Sequence, residues 1–250
     1  MKVAALYDIH ANLPALEAVL AEVEREAPDL IVIGGDVASG PLPAETVERL
    51  QALGDGARYV MGNTDREMVD AFDSGDEPPE DARSWEVVDR WAAGHLSRSQ
   101  RDFLDSFELT LHLDVDGLGP TLFCHGSPRS DEERITAITP EGRMKPILEG
   151  VEEDVVVCGH THHQFDRRML GKRVINAGSV GMPYQGAAAA FWALLGSDAR
   201  LRRTDYDIEA AVGQMRAGGM PEVDELMLRE SLLEPLDSAW IAEYFERQAE

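Results

Sequence analysis

The sequence is poor in cysteine and in basic residues, and it contains no long hydrophobic run. Its two cysteines, Cys124 and Cys158, stand inside apolar runs, which excludes a secreted fold framed by disulfides. The longest candidate membrane run, residues 187–195, is far short of the roughly 20 residues that a membrane-spanning helix needs. The N-terminal apolar run, residues 3–7, is too short for the core of a signal peptide. We therefore expect a cytoplasmic protein with no membrane partner.

The shortage of basic residues also limits the partners of the chain. Lys and Arg number 23 and Asp and Glu number 47, so the net charge is −24. Such a charge argues against nucleic-acid polymers as partners, because these require a basic contact surface. A small phosphoester can still be held by a local positive charge. With 250 residues, of which 44% are apolar, we expect a single domain over residues 1–250.

Short apolar runs bounded by Gly, Asp or Asn recur along the chain and indicate strands that are buried on both faces. Five of them stand out, at residues 3–7, 30–33, 59–61, 121–124 and 155–158. The segments between the first three runs repeat their apolar residues every three or four positions, as amphipathic helices do. This alternation of strand and helix predicts an α/β sandwich.

The rest of the chain predicts additions to that sandwich. Residues 74–79 are acidic and rich in proline, which is typical of an exposed loop. This loop opens a predicted helical insertion, at about residues 74–107, that we expect to form a flap. The second half of the chain predicts an antiparallel or mixed sheet, and about residues 207–250 predict an acidic C-terminal helical extension.

Polar side chains able to bind a cation follow each of the five apolar runs. Ligands of α/β proteins bind beyond the carboxyl ends of the strands, so we expect these side chains to meet at one edge of the sheet. They offer oxygen and nitrogen atoms without thiolate, a set that favours Mn²⁺, Fe or Zn²⁺ over a cysteine zinc site or a Ca²⁺ loop. The candidate ligands are Asp8, His10, Asp36, Asn63, His125, His160 and His162.

Seven ligands exceed what one ion normally takes from a protein, so two ions fit better. Asp36 is central in the series and is the natural bridge between the two ions. A pair of metals about 3.5–4 Å apart activates water and stabilises the attacking and leaving oxygens of an in-line displacement at phosphorus. The residues therefore predict phosphoester hydrolysis.

The same residues stand in the order found in a known family. Asp8-x-His10, Gly35-Asp36, Gly62-Asn63, His125 and Gly159-His160-x-His162, with a similar closing segment at residues 176–183, resemble the calcineurin-like metallophosphoesterases. The resemblance is to the smaller branch of phosphodiesterase-type bacterial and archaeal enzymes. It implies a four-layer αββα sandwich, here with the inserted helical flap and C-terminal helices, and phosphomonoester or phosphodiester substrates.

The resemblance also implies how the ligands divide between two divalent transition metals. Manganese is favoured, with iron, zinc or nickel as alternatives. The reaction would then use a hydroxide that bridges the metals, with Asp36, His10 and Asn63 as the catalytic group. The first metal would be held by Asp8, His10, Asp36 and His162, and the second by Asp36, Asn63, His125 and His160.

The chain departs from the family pattern at one position. Many members have a histidine after the asparagine that is thought to contact the phosphate or to protonate the leaving group. Thr64 stands there in this chain, and a threonine hydroxyl is not an acid near neutral pH. Substrates with leaving groups that need no proton should be favoured as a result. Thr64 with Glu67 also fits a capping box that begins a helix.

The sequence offers three candidate substrate contacts, Asn12, Arg66 and Arg129. Arginine matches the geometry of phosphate, although a solvated surface charge explains each arginine as well, and Asn12 also fits a helix cap. The favoured function is a phosphodiesterase acting on a small molecule. The alternatives are a phosphomonoesterase for nucleotides or phosphoproteins, and a protein-binding scaffold with the same fold. Whether the chain forms a homo-oligomer stays open.

Overall fold

A computed structural model describes residues 1–75 and 84–248 of the chain. The ten strands of this part are β1 Val3–Leu6, β2 Leu30–Ile33, β3 Ala57–Tyr59, β4 Thr110–Val115, β5 Gly119–Cys124, β6 Val155–Cys158, β7 Phe165–Met169, β8 Lys172–Asn176, β9 Ala190–Leu195 and β10 Ala199–Thr204. The eight α-helices are α1 Leu13–Glu26, α2 Pro43–Gln51, α3 Asn63–Ser74, α4 Ser84–Ala93, α5 Arg98–Asp105, α6 Glu141–Ile147, α7 Ile208–Ala217 and α8 Ser238–Gln248. A 3₁₀ turn at Gly54–Gly56 and a π-helix at Asp224–Leu233 complete them.

The strands form two mixed sheets of five strands each. The first sheet has the order β10-β9-β1-β2-β3, and the second has the order β4-β5-β6-β8-β7. The central pairs are parallel, with Val3 opposite Leu30 in the first sheet and Thr121 opposite Val155 in the second. Because parallel strands end at the same edge, the turns after β1, β2 and β3 and those after β5 and β6 are brought to common edges.

The two sheets pack face to face, with helices on the outer face of each. Alternate residues of β1 show this division, because Ala5 packs between the sheets whereas Leu6 packs toward α1. Helix α6 covers the outer face of the second sheet through Met144. Strands buried on both faces need continuous apolar sequence, which is why the runs lack polar alternation. The predicted four-layer αββα sandwich is confirmed.

Local sequence signals explain where the first helix begins. The Asn12 side chain accepts a hydrogen bond from the Ala15 backbone N–H over 3.2 Å, and Pro14 follows in the first turn. Leu16 and Leu20 are buried on the face toward the sheet. The helix therefore fixes the position of the turn between β1 and α1, which carries part of the site.

Helices α4 and α5 pack against α3, at the place expected for the helical insertion. Most of the predicted loop at residues 74–79 falls within 76–83 and so lies outside the described residues. The segment after β10 is helical up to residue 248, as the sequence predicts. Within residues 1–75 and 84–248, no helix is long and apolar enough to cross a bilayer.

The close approach of the turn after β2 to β1 leads to a prediction about stability. A Cβ atom at Gly34 would fall far inside van der Waals contact of the buried Tyr7 ring. Overpacking of this kind costs about 1–3 kcal/mol, so G34A should lower the urea midpoint of unfolding. G142A is the matched control, since nothing lies within 4 Å of its Cβ. Equal midpoints for the two variants would contradict this packing.

Candidate metal centre

The structure places the predicted ligands at adjoining strand ends. Asp8 follows β1 and Asp36 lies in the turn after β2, while Asn63 begins α3 just after β3. From the second sheet, His125 follows β5, and the turn after β6 carries His160 and His162. The carboxyl ends of strands from both sheets therefore meet at one edge of the sandwich.

Four of these side chains form a first group that could hold a metal ion. Asp8, His10, Asp36 and His162 each offer one ligand atom, and these atoms lie within 4.8 Å of one another. His162 Nε2 lies 3.2 Å from His10 Nε2 and 3.5 Å from Asp8 Oδ1. His10 Nε2 lies 3.7 Å from Asp36 Oδ2. All four residues are buried.

A second group shares Asp36 with the first. Asp36, His125 and His160 again offer ligand atoms within 4.8 Å of one another. The atom Asp36 Oδ2, which faces His10 in the first group, also lies 3.4 Å from His125 Nε2. The other oxygen, Asp36 Oδ1, accepts a hydrogen bond from the Thr64 N–H over 3.0 Å. One carboxylate oxygen is therefore common to both groups.

Several buried polar atoms in these groups have no hydrogen-bond partner within the described part of the chain. They are Asp8 Oδ1, Asn63 Oδ1 and His125 Nε2. Buried polar atoms are nearly always satisfied, so three unpaired atoms from the predicted ligand set need an explanation. Divalent cations would satisfy them, and the donor set of carboxylate, amide and imidazole suits a transition metal.

Backbone carbonyls fix which nitrogen of each histidine faces the site. Carbonyl groups only accept, so the imidazole nitrogen beside each must carry the hydrogen. The opposite nitrogens of His10 and His162 then present lone pairs to each other across 3.2 Å. These lone pairs repel each other, and a cation bound between them would remove the repulsion. The four contacts are His10 Nδ1 with Ser39 O at 3.1 Å, His125 Nδ1 with Gly34 O at 2.8 Å, His160 Nε2 with Glu132 O at 3.1 Å and His162 Nδ1 with Met182 O at 2.7 Å.

Asp65 holds the turns of two ligands together without facing the metal groups. Its carboxylate accepts hydrogen bonds from the N–H groups of Asp36, Val37 and Gly62 over 2.8, 2.9 and 3.0 Å. The side chain is fully buried. Asp65 is the third residue of α3, and Gly62 is the residue that caps this helix. The predicted Thr64–Glu67 capping box is therefore wrong, because the helix begins before Thr64.

The ligand turns adopt a backbone conformation that non-glycine residues rarely use. Asp8, His10, Asp36, His160 and His162 have φ angles of 52°, 46°, 53°, 64° and 55°. Left-handed conformations of this kind cost free energy and persist where the surroundings hold them. Here Asp8 is held through its Oδ2, which accepts from the His160 N–H over 2.9 Å. The strain is concentrated in the residues that would bind the metals.

The closing segment of the predicted motif braces the Asp8 turn. Ser179 Oγ donates to Asp8 O over 2.7 Å, and the Gly181 N–H donates to the same carbonyl over 3.0 Å. Asn176 Nδ2 donates to Gly159 O over 2.7 Å, beside His160. The segment thus fixes the turns after β1 and β6 relative to each other.

Electrostatic interactions within the two ligand groups favour a negatively charged Asp36 beside a positively charged His125. Burial opposes ionisation of Asp36, but His125, His10 and His160 outweigh burial and lower the pKa of Asp36. Burial also disfavours the charged form of His125, yet Asp36 and Asp8 together raise the pKa of His125 to about 10. Burial raises the pKa of Asp8 and lowers that of His162. Metal binding must therefore displace a proton from His125.

The two groups lie on the wall of a cleft of about 470 Å³. The cleft is lined on its other sides by acidic and aromatic residues from α3, α4, the turn after β8 and α8. Among the lining residues that the structure describes, Arg134 is the one with a permanent positive charge. The predicted ligand Asn63 also lines the cleft. The other lining residues beyond the metal groups are Thr64, Glu67, Ser84, Trp85, Glu86, Asp89, Glu132, Arg134, Met182, Tyr184 and Phe245.

The three predicted substrate contacts have other positions and partners. Asn12 is fully buried, caps α1 and donates to Gly181 O over 2.9 Å, so it does not reach the cleft. Arg129 lines a different surface pocket and pairs with Glu133 over 2.5 Å. Arg66 pairs with Asp131 and Glu132, both over 2.8 Å, at the margin of the cleft. Arg66 as a substrate contact stays a prediction.

Sequence reasoning missed several residues of the cleft wall. Arg134 has no carboxylate partner among the described residues, and its guanidinium lies 5.1 Å from the centre of the Phe245 ring. The Trp85 ring lies 6.0 Å from His10, and Tyr184 stacks on His162 at 5.1 Å. No sequence spacing connects position 134 with position 245, so only the folded chain shows that they share one wall.

Comparisons with known proteins agree with the fold and show the family of the chain. The family model described as the calcineurin-like phosphoesterase superfamily domain matches residues 1–197. The chain therefore belongs to this superfamily, which implies a hydrolase that uses divalent metal ions. The matched residues include all seven predicted ligands.

Similar proteins of this length occur in bacteria and archaea. A crystal structure of a metallophosphoesterase from Sphaerobacter thermophilus is 27% identical, with a TM-score of 0.72, and the match covers 89% of this chain and 95% of that one. The hypothetical protein PH1004 from Pyrococcus horikoshii has a TM-score of 0.75 at 21% identity, with 88% and 94% covered, and shows the fold alone. The uncharacterized protein MJ0912 of Methanocaldococcus jannaschii is 26% identical, with 88% and 94% covered.

The position of Asp65 leads to a prediction about metal affinity. Asn in its place has one acceptor oxygen, and its amide N–H₂ would meet backbone N–H groups. D65N should therefore loosen the turns of Asp36 and Asn63 and weaken binding of Mn²⁺ about 10–100-fold, as changes to groups that orient ligands do. Calorimetric titration measures this affinity, and D70N, on the exposed side of the same helix, is the control. Unchanged affinity in D65N would contradict the positioning role.

Proposed function

We propose that the protein is a dinuclear metal-dependent phosphodiesterase that hydrolyses a small phosphoester. The observation that carries this proposal is the shared Asp36 oxygen between two groups of ligands, 3.7 Å from His10 Nε2 and 3.4 Å from His125 Nε2. All seven residues of the ligand pattern are present, which argues against the alternative of a scaffold that has lost its metals. Manganese is the favoured metal, since no thiolate lies among the donors.

The metals, when bound, act as Lewis acids and lower the pKa of water. Asp8, His10, Asp36 and His162 would hold one ion, and Asp36, Asn63, His125 and His160 the other. The carbonyl contacts of the histidines keep the unprotonated nitrogens turned toward the ions. Burial of these ligands keeps bulk water away, so solvent screens the interactions of their charges only weakly.

The charge of the cleft favours a phosphodiester over a phosphomonoester. Four acidic side chains, those of Glu67, Glu86, Asp89 and Glu132, line the described part of the cleft outside the ligand groups, and a proton shared between Glu67 and Asp89 still leaves this wall negative. A diester carries one negative charge and a monoester carries nearly two at neutral pH, so the acidic wall disfavours the monoester more strongly. The overall charge of −24 also repels a monoester more strongly than a diester.

Arg134 supplies the positive charge that such a substrate needs. Its guanidinium is free of carboxylate partners within the described ranges and lies on the cleft wall. Guanidinium groups bind phosphate oxygens in a fork, with two hydrogen bonds. We therefore assign Arg134 the contact with a non-bridging phosphate oxygen. Thr64, whose Oγ1 has no hydrogen-bond partner among residues 1–75 and 84–248, lies on the same wall and is the candidate for a second hydrogen bond.

The proposal predicts metal-dependent hydrolysis of bis(p-nitrophenyl) phosphate. Purified protein should take up about two metal ions per chain, and excess EDTA should abolish activity until Mn²⁺ is restored. D36N should lower kcat at least 10³-fold, because it removes the charge shared by both ions. H112N changes an exposed histidine paired with Glu153, far from the cleft, and serves as the control. Full activity in EDTA would refute the proposal.

A second prediction concerns Arg134. R134A should raise KM for a phosphodiester about 10-fold and leave metal content unchanged, since the loss of one charge-assisted hydrogen bond costs about 1.5–3 kcal/mol. R203A is the matched control, because Arg203 is exposed and pairs with Asp205 over 2.7 Å. An unchanged KM in R134A, measured by initial rates, would remove Arg134 from the binding site.

A further inference from the structure

We propose that Glu67 and Asp89 form an acid pair that donates the proton to the leaving-group oxygen. This inference rests on the proposed function. It addresses the position of Thr64, whose hydroxyl is not an acid near neutral pH. Since a proton donor contributes about 10²–10⁴-fold to a rate, a chain that keeps every metal ligand would gain from another acid in the same cleft.

The pair is built from two helices that meet beside the metal groups. Glu67 lies on α3, four residues after Asn63, and Asp89 lies on α4. Both line the cleft together with Asp36, Asn63 and Thr64. Their carboxyl groups are within hydrogen-bonding reach of each other. Two carboxyl groups can share a hydrogen bond only if one of them carries a proton, so this contact stores a proton at the cleft wall.

One oxygen of the buried partner is fixed by Ser39. Asp89 is 3% exposed, and its Oδ1 accepts a hydrogen bond from the Ser39 hydroxyl. Its Oδ2 is buried and receives no hydrogen bond from an N–H or a hydroxyl group of the described residues, so it is left to share the proton with Glu67. Glu67 is only partly buried and is therefore the member of the pair that can reach a substrate oxygen in the cleft.

Burial of the pair favours its protonated form. Burial is the main cause that raises the pKa of Asp89 to about 8, with the charges of Glu67 and Asp36 adding to it and Ser39 opposing it. Burial also raises the pKa of Glu67, where Arg66 opposes the effect and Asp36 and Glu132 support it. Because the two groups interact, the proton belongs to the pair rather than to one residue.

The pair also has a route by which it can recover a proton. Glu67 and Asp89 line a second cleft of about 410 Å³, on the side of α3 that carries Asp70 and Ala71. The two carboxyl groups therefore lie between the metal cleft and another opening to solvent. A proton lost on the substrate side can be replaced from this side.

The step balances without a further reactant. The bond between phosphorus and the leaving oxygen breaks, and its electron pair stays on that oxygen. The proton of the pair joins the oxygen, so an alcohol leaves and both groups of the pair are left as carboxylates, with one negative charge more than before. The attacking water gives its hydroxyl to phosphorus, and its second proton returns to the pair.

The test compares leaving groups in E67Q and D89N. Both variants should lose less activity on bis(p-nitrophenyl) phosphate than on esters with alkyl leaving groups, because p-nitrophenolate leaves without a proton. With a dialkyl phosphate, whose leaving group must be protonated, kcat should fall about 10²–10⁴-fold. A plot of log kcat against leaving-group pKa should therefore become steeper in both variants.

The controls separate this inference from the proposed function. D70N, on the same helix and lining the second cleft, should keep the wild-type slope. Equal losses of activity on all esters would show that the pair has a structural role. Unchanged slopes would show that the pair donates no proton to the leaving group. Either result overturns the inference. E67Q keeps the test valid if D89N fails to fold, since Glu67 is only partly buried. A wild-type protein without metal-dependent activity would instead overturn the proposed function.

Discussion

One carboxylate oxygen, Asp36 Oδ2, is the point on which the site depends. It lies between His10 and His125, which come from different sheets, and so it joins two groups of ligands into one centre. A group of negative and lone-pair donors is repulsive by itself, and protein interiors do not tolerate such a group without a compensating charge. The sandwich places these donors together because it brings the ends of strands from both sheets to one edge.

The surrounding structure holds this unfavourable arrangement in place. Five ligand residues have left-handed backbones, Asp65 ties the turn of Asp36 to that of Asn63, and residues 176–181 brace the turn of Asp8. Each device restrains the backbone rather than the metal-facing atoms. A centre of this kind is prepared before the metals bind, which is the condition for precise placement of a reacting group.

Much of this could be predicted from the sequence, and the failures have physical reasons. Apolar runs followed by Asp, Asn and His residues at fixed spacings predict both the sheet and the ligands, since strand ends are local signals. The cleft wall could not be predicted, because Arg134 and Phe245 meet only through tertiary packing. The sequence left the role of Asp65 open, because an acid in the first turn of a helix is explained by the helix dipole as well as by a contact that orients a ligand. Asn12 could be a substrate contact or a helix cap by its position in the sequence, and the structure shows it as the cap of α1.

The most direct test of the account is anomalous X-ray diffraction from crystals soaked with Mn²⁺. The account predicts two manganese peaks about 3.5–4 Å apart, with an oxygen of Asp36 bound to both, His10 on one side and His125 on the other. A single peak, or two peaks of which Asp36 touches only one, would contradict the account.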